Sequence, residues 1–190
     1  MTAPATTVEE VTTARNTLGV KDYFDALVNI MRSPAGFYRE IAEETGMRKA
    51  MLFLFVSAMF YSTVSMTYFY ENSLTMGGVY LLNALVMPVL AAIFSFTLAG
   101  IVPGSNVRFD KIFSVYAYAS GAIMVISWIP ALSMILELFR AALVTVGLVR
   151  ACGMGWIKSL CVVGMTAVLL LVFFWTLDPV LMELKALLTS

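Results

Sequence analysis

The stretch Ile112–Val149, IFSVYAYASGAIMVISWIPALSMILELFRAALVTVGLV, runs for 38 residues with only two charged side chains, Glu137 and Arg140. A membrane-crossing helix needs about 20 apolar residues, so this run is nearly twice too long for one. Pro130 divides it, because proline lacks an amide donor and clashes with the preceding helical turn. Two crossing helices joined by a very tight turn are expected. One crossing plus a re-entrant loop is the alternative, but each half still keeps enough length to cross.

Outward from this run, three more apolar segments follow the same rule. The first covers Ala50–Tyr70, preceded by Arg48 and Lys49 and closed by Tyr68, Phe69 and Tyr70. The second covers Val79–Val102 and contains Pro88, where a kink is expected rather than a break, because neighbouring helices can satisfy a freed carbonyl. The last covers Trp156–Leu177 and ends before Asp178 and Pro179. The expected fold is all-α, a polytopic membrane bundle of five transmembrane helices over residues 48–178.

Basic residues fix the expected orientation. Six Lys or Arg precede the first span, two (Arg108, Lys111) follow the second and two (Arg150, Lys158) follow the fourth; the other connections and the tail hold only Lys185. The positive-inside rule then places the N-terminus in the cytoplasm and the C-terminus, residues 179–190, outside.

Before the membrane domain, residues 21–47 read as two short amphipathic cytoplasmic helices. Phe24, Leu27, Val28 and Met31 recur at helical spacing, with Asp22, Asp25 and Asn29 facing away. Ser33 is placed to cap the second helix, Pro34 suits its first position and Gly46 can close it. Their apolar faces suit the headgroup region; packing on the ends of the spans is the alternative. Residues 1–20 are Thr- and Ala-rich, without the apolar stretch of a signal peptide, and read as a flexible tail.

Composition narrows the chemistry. The 190 residues are 61% hydrophobic and 13% charged, with net charge zero. The mean hydropathy is +0.89. Lipid is the expected solvent. Histidine is absent, so no histidine acid–base relay or zinc triad can be built. Cys152 and Cys161 have no close ligand spacing, and no basic stripe interleaved with aromatics suggests nucleic acid. No catalytic group, cofactor or metal site is expected.

The candidate site is therefore an intramembrane polar patch. Glu137 and Arg140, at i, i+3, can pair within one turn near the bilayer midplane, where an unpaired charge is costly. They share a face with Ser133, Val144 and Gly147; across the Pro130 turn, Tyr116, Ser120, Met124 and Ser127 form a second stripe. Either these stripes bind a lipid headgroup, ion or proton, or they are a packing contact. Small residues at Ala117 and Gly121, and at Gly100 and Gly104, allow close helix approach, within the bundle or between copies.

The Ser33-Pro34 helix with Phe37 and Tyr38, the apolar run after Gly46, the segment FDKIFSVYAYAS (Phe109–Ser120) and the late Gly147 together resemble the Yip domain, the Ypt-interacting-protein membrane family. The resemblance spans about residues 22–177. It implies five spans with a cytoplasmic N-terminus and a non-enzymatic role in membrane organisation, with lipid or protein partners. In eukaryotes it also implies Rab-type GTPases, but the Asp-Leu-Tyr-Gly-Pro segment of that branch is missing here. That argues against a Rab partner and for a bacterial member. A small transporter or channel using Glu137 and Arg140 is the competing expectation.

Overall fold

The computed structural model describes residues 19–44, 46–69, 73–101 and 107–189, without the side chains of residues 130, 133 and 177–189. The expectations for the tail over residues 1–18 and for Gly104 lie outside these residues. The described residues form seven α-helices: α1 Val20–Arg32, α2 Pro34–Glu43, α3 Arg48–Phe69, α4 Leu74–Ile101, α5 Phe109–Met124, α6 Ser133–Ala151 and α7 Trp156–Thr189. No strand occurs among the described residues.

Among the described residues three helices, α3, α4 and α7, are long and apolar enough to cross a membrane, not the five expected. The two exceptions fail for different physical reasons. Helix α5 has 16 residues, about 24 Å at 1.5 Å per residue against a hydrocarbon core of about 30 Å. Helix α6 has 19 residues but carries Glu137, Arg140 and Arg150. The turn at Pro130 is also less tight than expected. Residues 125–132 connect α5 to α6, and Pro130 opens a 3-10 turn, Pro130–Leu132. Helix α4 continues through Pro88. Helix α7 likewise passes Pro179, where the sequence suggested an end; a proline removes one helical bond, and the remaining bonds can carry the helix on.

Helix α5 is the hub. Every residue from Ile112 to Met124 is buried. Helices α3, α4, α6 and the α1–α2 pair all pack on it, while α7 packs on α4 and α6 at the periphery. Ala117 and Ala119 are fully buried, and Gly121 lies where a Cβ would meet the Phe53 ring and Ser57. Small side chains let α3 approach this closely, so the Ala117/Gly121 spacing serves the bundle.

The α1–α2 pair is docked along the bundle rather than resting on its ends. Ile30, Tyr38 and Ile41 are buried. Helix α2 runs antiparallel to α5, since its C-terminal end meets Lys111 while Phe37 meets Tyr118. Five rings join four helices in one chain: Tyr23 to Phe53 at 4.9 Å, Phe53 to Tyr118 at 5.1 Å, Tyr118 to Phe37 at 5.0 Å and Phe37 to Tyr38 at 5.6 Å. Such pairs stabilise by about 0.5–1.5 kcal/mol beyond their buried area. The other face of α1 leaves Val20, Phe24 and Val28 exposed.

The end of α2 is closed from outside the helix. Ser33 makes no side-chain cap, and Gly46, at φ 103°, turns the chain toward α3. The last carbonyls instead receive Lys111 Nζ, which donates to Ile41 and Ala42 at 2.8 Å and to Glu44. A cation there also opposes the negative end of the helix dipole. Lys111→Met is expected to lower stability by about 1.5–3 kcal/mol, the scale of a charged hydrogen-bond donor. Hydrogen exchange across α2 checks it: protection should fall there before it falls in α3 or α4.

Candidate functional site

Residues 116 and 118 point to opposite sides of α5, because two residues on a helix are separated by about 200°. Tyr118 faces the hairpin. Tyr116 faces a cavity of about 550 Å³ between α5 and α7, walled by α4 and α6. Its volume is that of a small-molecule site.

All four sequence candidates, Tyr116, Ser120, Glu137 and Arg140, line this cavity. So do Met124, Ser127 and Val144 from the two expected stripes. Gly147 does not: its neighbours are Val115 and Tyr38. Glu137 and Arg140 form an ion pair, Arg140 Nη2 donating to Glu137 Oε2. Their side chains remain 59% and 36% exposed, so both keep polar atoms free for a ligand.

Two hydroxyls missed by sequence reasoning support one wall: Thr166 lines the cavity, and Ser95 is buried beside it. Thr166 donates to the Val162 carbonyl at 2.7 Å, so Ser95, 2.7 Å away, donates to Thr166. Tyr116, 2.5 Å from Ser95, then donates to Ser95. Each hydroxyl has one proton, so the chain runs Tyr116 to Ser95 to Thr166 and leaves the Tyr116 oxygen as an acceptor. It ties α5 to α4 and α7. On α4, Asn83 lines the cavity, as do Ala84 and Pro88. Pro88 has no N–H, so the Ala84 carbonyl lacks its helical donor.

Outside the cavity, the described ion pairs gather at one end of the molecule. Lys111 reaches α2, Glu44 pairs with Lys49 at 2.6 Å, and Arg108 pairs with Asp110 at 2.9 Å. Arg150, at the end of antiparallel α6, lies at the same end. At the opposite end Tyr68 stacks on Trp128, with ring centroids 5.6 Å apart. Cys152 sits at the basic end, where burial pushes its thiol up to about 12, with Lys111 opposing and Asp110 adding to the shift.

Because the folded thiol binds its proton more tightly than an unfolded one, Cys152 costs no stability below the unfolded thiol value. Stability falls as pH rises from there toward the folded value. In a Cys161→Ser background, alkylation at pH 8 is expected to be about a thousandfold slower than for an unfolded thiol, following the thiolate fraction. Rates measured before and after denaturation check it.

Among the described residues no group of three or more His, Cys, Asp or Glu could hold a metal ion. An all-helical membrane protein with a polar-walled cavity beside a buried hub helix is thus defined. The chain belongs to the Yip1 domain family, whose sequence profile matches residues 28–177. That match takes in the hairpin from Val28 onward, the hub and every wall of the cavity. No curated protein and no solved structure matches the chain.

Proposed function

We propose that this chain is a non-enzymatic membrane-organising or accessory protein that holds a lipid in the cavity between α5 and α7. The observation that carries this reading is the convergence of the Glu137–Arg140 pair and the Tyr116 and Ser120 hydroxyls on one cavity whose other walls are mostly apolar. A lipid has both chemistries.

In this reading all five helices α3–α7 cross the bilayer, with the N-terminus cytoplasmic, the C-terminus outside, and a bacterial inner membrane as the setting. Helix α5 is sheathed by protein from Ile112 to Met124, so it does not need the lipid-facing length that an isolated span needs. Helices α5 and α6, with their link, run between the basic end and the Tyr68–Trp128 end, as α3 does.

The test is purification in a mild detergent followed by mass spectrometry of bound lipids and co-purifying proteins. Phospholipid retained at a stoichiometric level and displaced by Ala141→Phe, which puts an aromatic ring into the cavity beside Arg140, supports the proposal. A protein free of lipid and partners that leaves liposome shape unchanged overturns it. An ion flux lost on Glu137→Gln and Arg140→Gln would replace it with a small transporter or channel.

A further inference from the structure

Among the described residues that line the cavity, Glu137 and Arg140 are the charged ones, one negative and one positive. We propose that it selects a zwitterionic phospholipid whose headgroup ends in a primary ammonium, a phosphoethanolamine lipid; this rests on the lipid reading above. Arg140 uses one of its N–H donors on Glu137, leaving the others for a phosphate. Glu137 is engaged through Oε2, leaving Oε1 for an ammonium.

Charge matching decides between headgroups. A purely anionic headgroup would gain Arg140 but would bring its charge against Glu137 in a low-dielectric wall. A phosphoethanolamine presents both signs in sequence and meets both partners. A trimethylammonium group has the same charge but no N–H, so it cannot make the charge-assisted hydrogen bonds that a carboxylate accepts. Further acceptors stand nearby for the ammonium protons: the Tyr116 oxygen, whose own proton is given to Ser95 so that its lone pairs can accept, and the Asn83 side chain.

The position of the pair suits a headgroup. Glu137 and Arg140 share the cavity with Met124 and Ser127, within a turn of Trp128. Trp128 stacks on Tyr68 at the end of the molecule remote from the basic cluster, and aromatic belts mark the membrane–water interface. Glu137 and Arg140 lie four and seven residues past the start of α6 at Ser133, shallower than the midplane position expected from the sequence. A headgroup therefore enters by one or two helical turns, and its acyl chains lie along the apolar walls of α4 and α7.

The experiment is native mass spectrometry of the full chain. The protein is incubated with an equimolar mixture of palmitoyl-oleoyl phosphatidylethanolamine, phosphatidylglycerol and phosphatidylcholine. Wild type is expected to retain the ethanolamine lipid over each of the others by at least about tenfold, equivalent to about 1.4 kcal/mol. Glu137→Gln leaves Arg140 as the lone charge and should turn the preference to phosphatidylglycerol; Arg140→Gln should weaken retention of all three.

Equal retention of the three lipids by wild type, or an ethanolamine preference unchanged in Glu137→Gln, overturns this inference and leaves the lipid reading standing. No retained lipid overturns both. The wild-type competition needs no variant to fold, and Ala141→Phe separates cavity binding from lipid held elsewhere: loss of the preference supports the proposal, and its persistence overturns it.

Discussion

Tyr38→Ala is expected to lower stability by about 3–5 kcal/mol, the cost of truncating a fully buried aromatic side chain. Tyr38 is fully buried where α2 packs on α5 and α6, with its ring on Phe37 at 5.6 Å and its hydroxyl donating to the Val115 carbonyl at 3.5 Å. Burial, with the adjacent Tyr118, holds that hydroxyl protonated well above the ordinary tyrosine range. Tyr38→Phe keeps the ring and loses only a long hydrogen bond, so its cost should be about 1 kcal/mol or less. Unfolding in mixed detergent micelles, followed by circular dichroism, measures both. The alanine variant should also expose the α1–α2 hairpin to protease before the spans unfold. An alanine variant as stable as the phenylalanine one would show that the hairpin is not docked in solution.

This docking is what the sequence could only half express. The periodicity of Phe24, Leu27, Val28 and Met31 marked the helix over Val20–Arg32 almost to the residue, because an amphipathic stripe is a local property. Which face docks is not local: Phe24, Val28 and Met31 of that stripe stay exposed, while Ile30 is buried and Tyr23 meets Phe53 of the bundle. Lys111 read as a loop charge, and its part in closing α2 depends on carbonyls 67 to 70 residues away. Tyr118 belongs to the same FDKIFSVYAYAS segment as Tyr116, yet serves the hairpin and not the cavity. One short motif thus supplies two faces of the hub.

The cavity was legible in part, for a related reason. Charges at Glu137 and Arg140 stand out in an apolar run, and helical spacing puts Tyr116 and Ser120 on one face. Ser95 and Thr166 carried no such signal. Hydroxyls in apolar helices commonly bond to their own backbone one turn back, as Thr63, Thr67 and Thr97 do here. Thr166 does so as well and also receives Ser95, and only the packing of α4 against α7 separates it from the others. The span count failed at the two other helices: α5 has 16 residues and is buried by its neighbours, and α6 carries Glu137 and Arg140 on the cavity wall.

Gly147→Leu is expected to cost about 3 kcal/mol or more, and even Gly147→Ala about 1–3 kcal/mol, the range for overpacking a filled core. A Cβ at this position would lie 2.4 Å from Val115 Cγ1, 3.0 Å from its Cγ2 and 3.2 Å from Tyr38 Cε1. Val115 is β-branched and fully buried on the hub helix, so it cannot swing aside. The intrinsic helical gain of alanine over glycine, about 1 kcal/mol, has the opposite sign and is outweighed. Gly77 gives a contrast, since its close neighbour at 2.9 Å is Met66 Sδ, the far end of a flexible chain. Gly164 has nothing within 4 Å, so Gly164→Ala should raise stability by up to about 1 kcal/mol. Opposite signs for Gly147→Ala and Gly164→Ala in one detergent unfolding series would separate packing from propensity. A double-mutant cycle with Val115→Ala should recover part of the Gly147→Ala loss, because the alanine at 115 removes both clashing methyls. Full additivity would place the strain elsewhere than between the hub and α6.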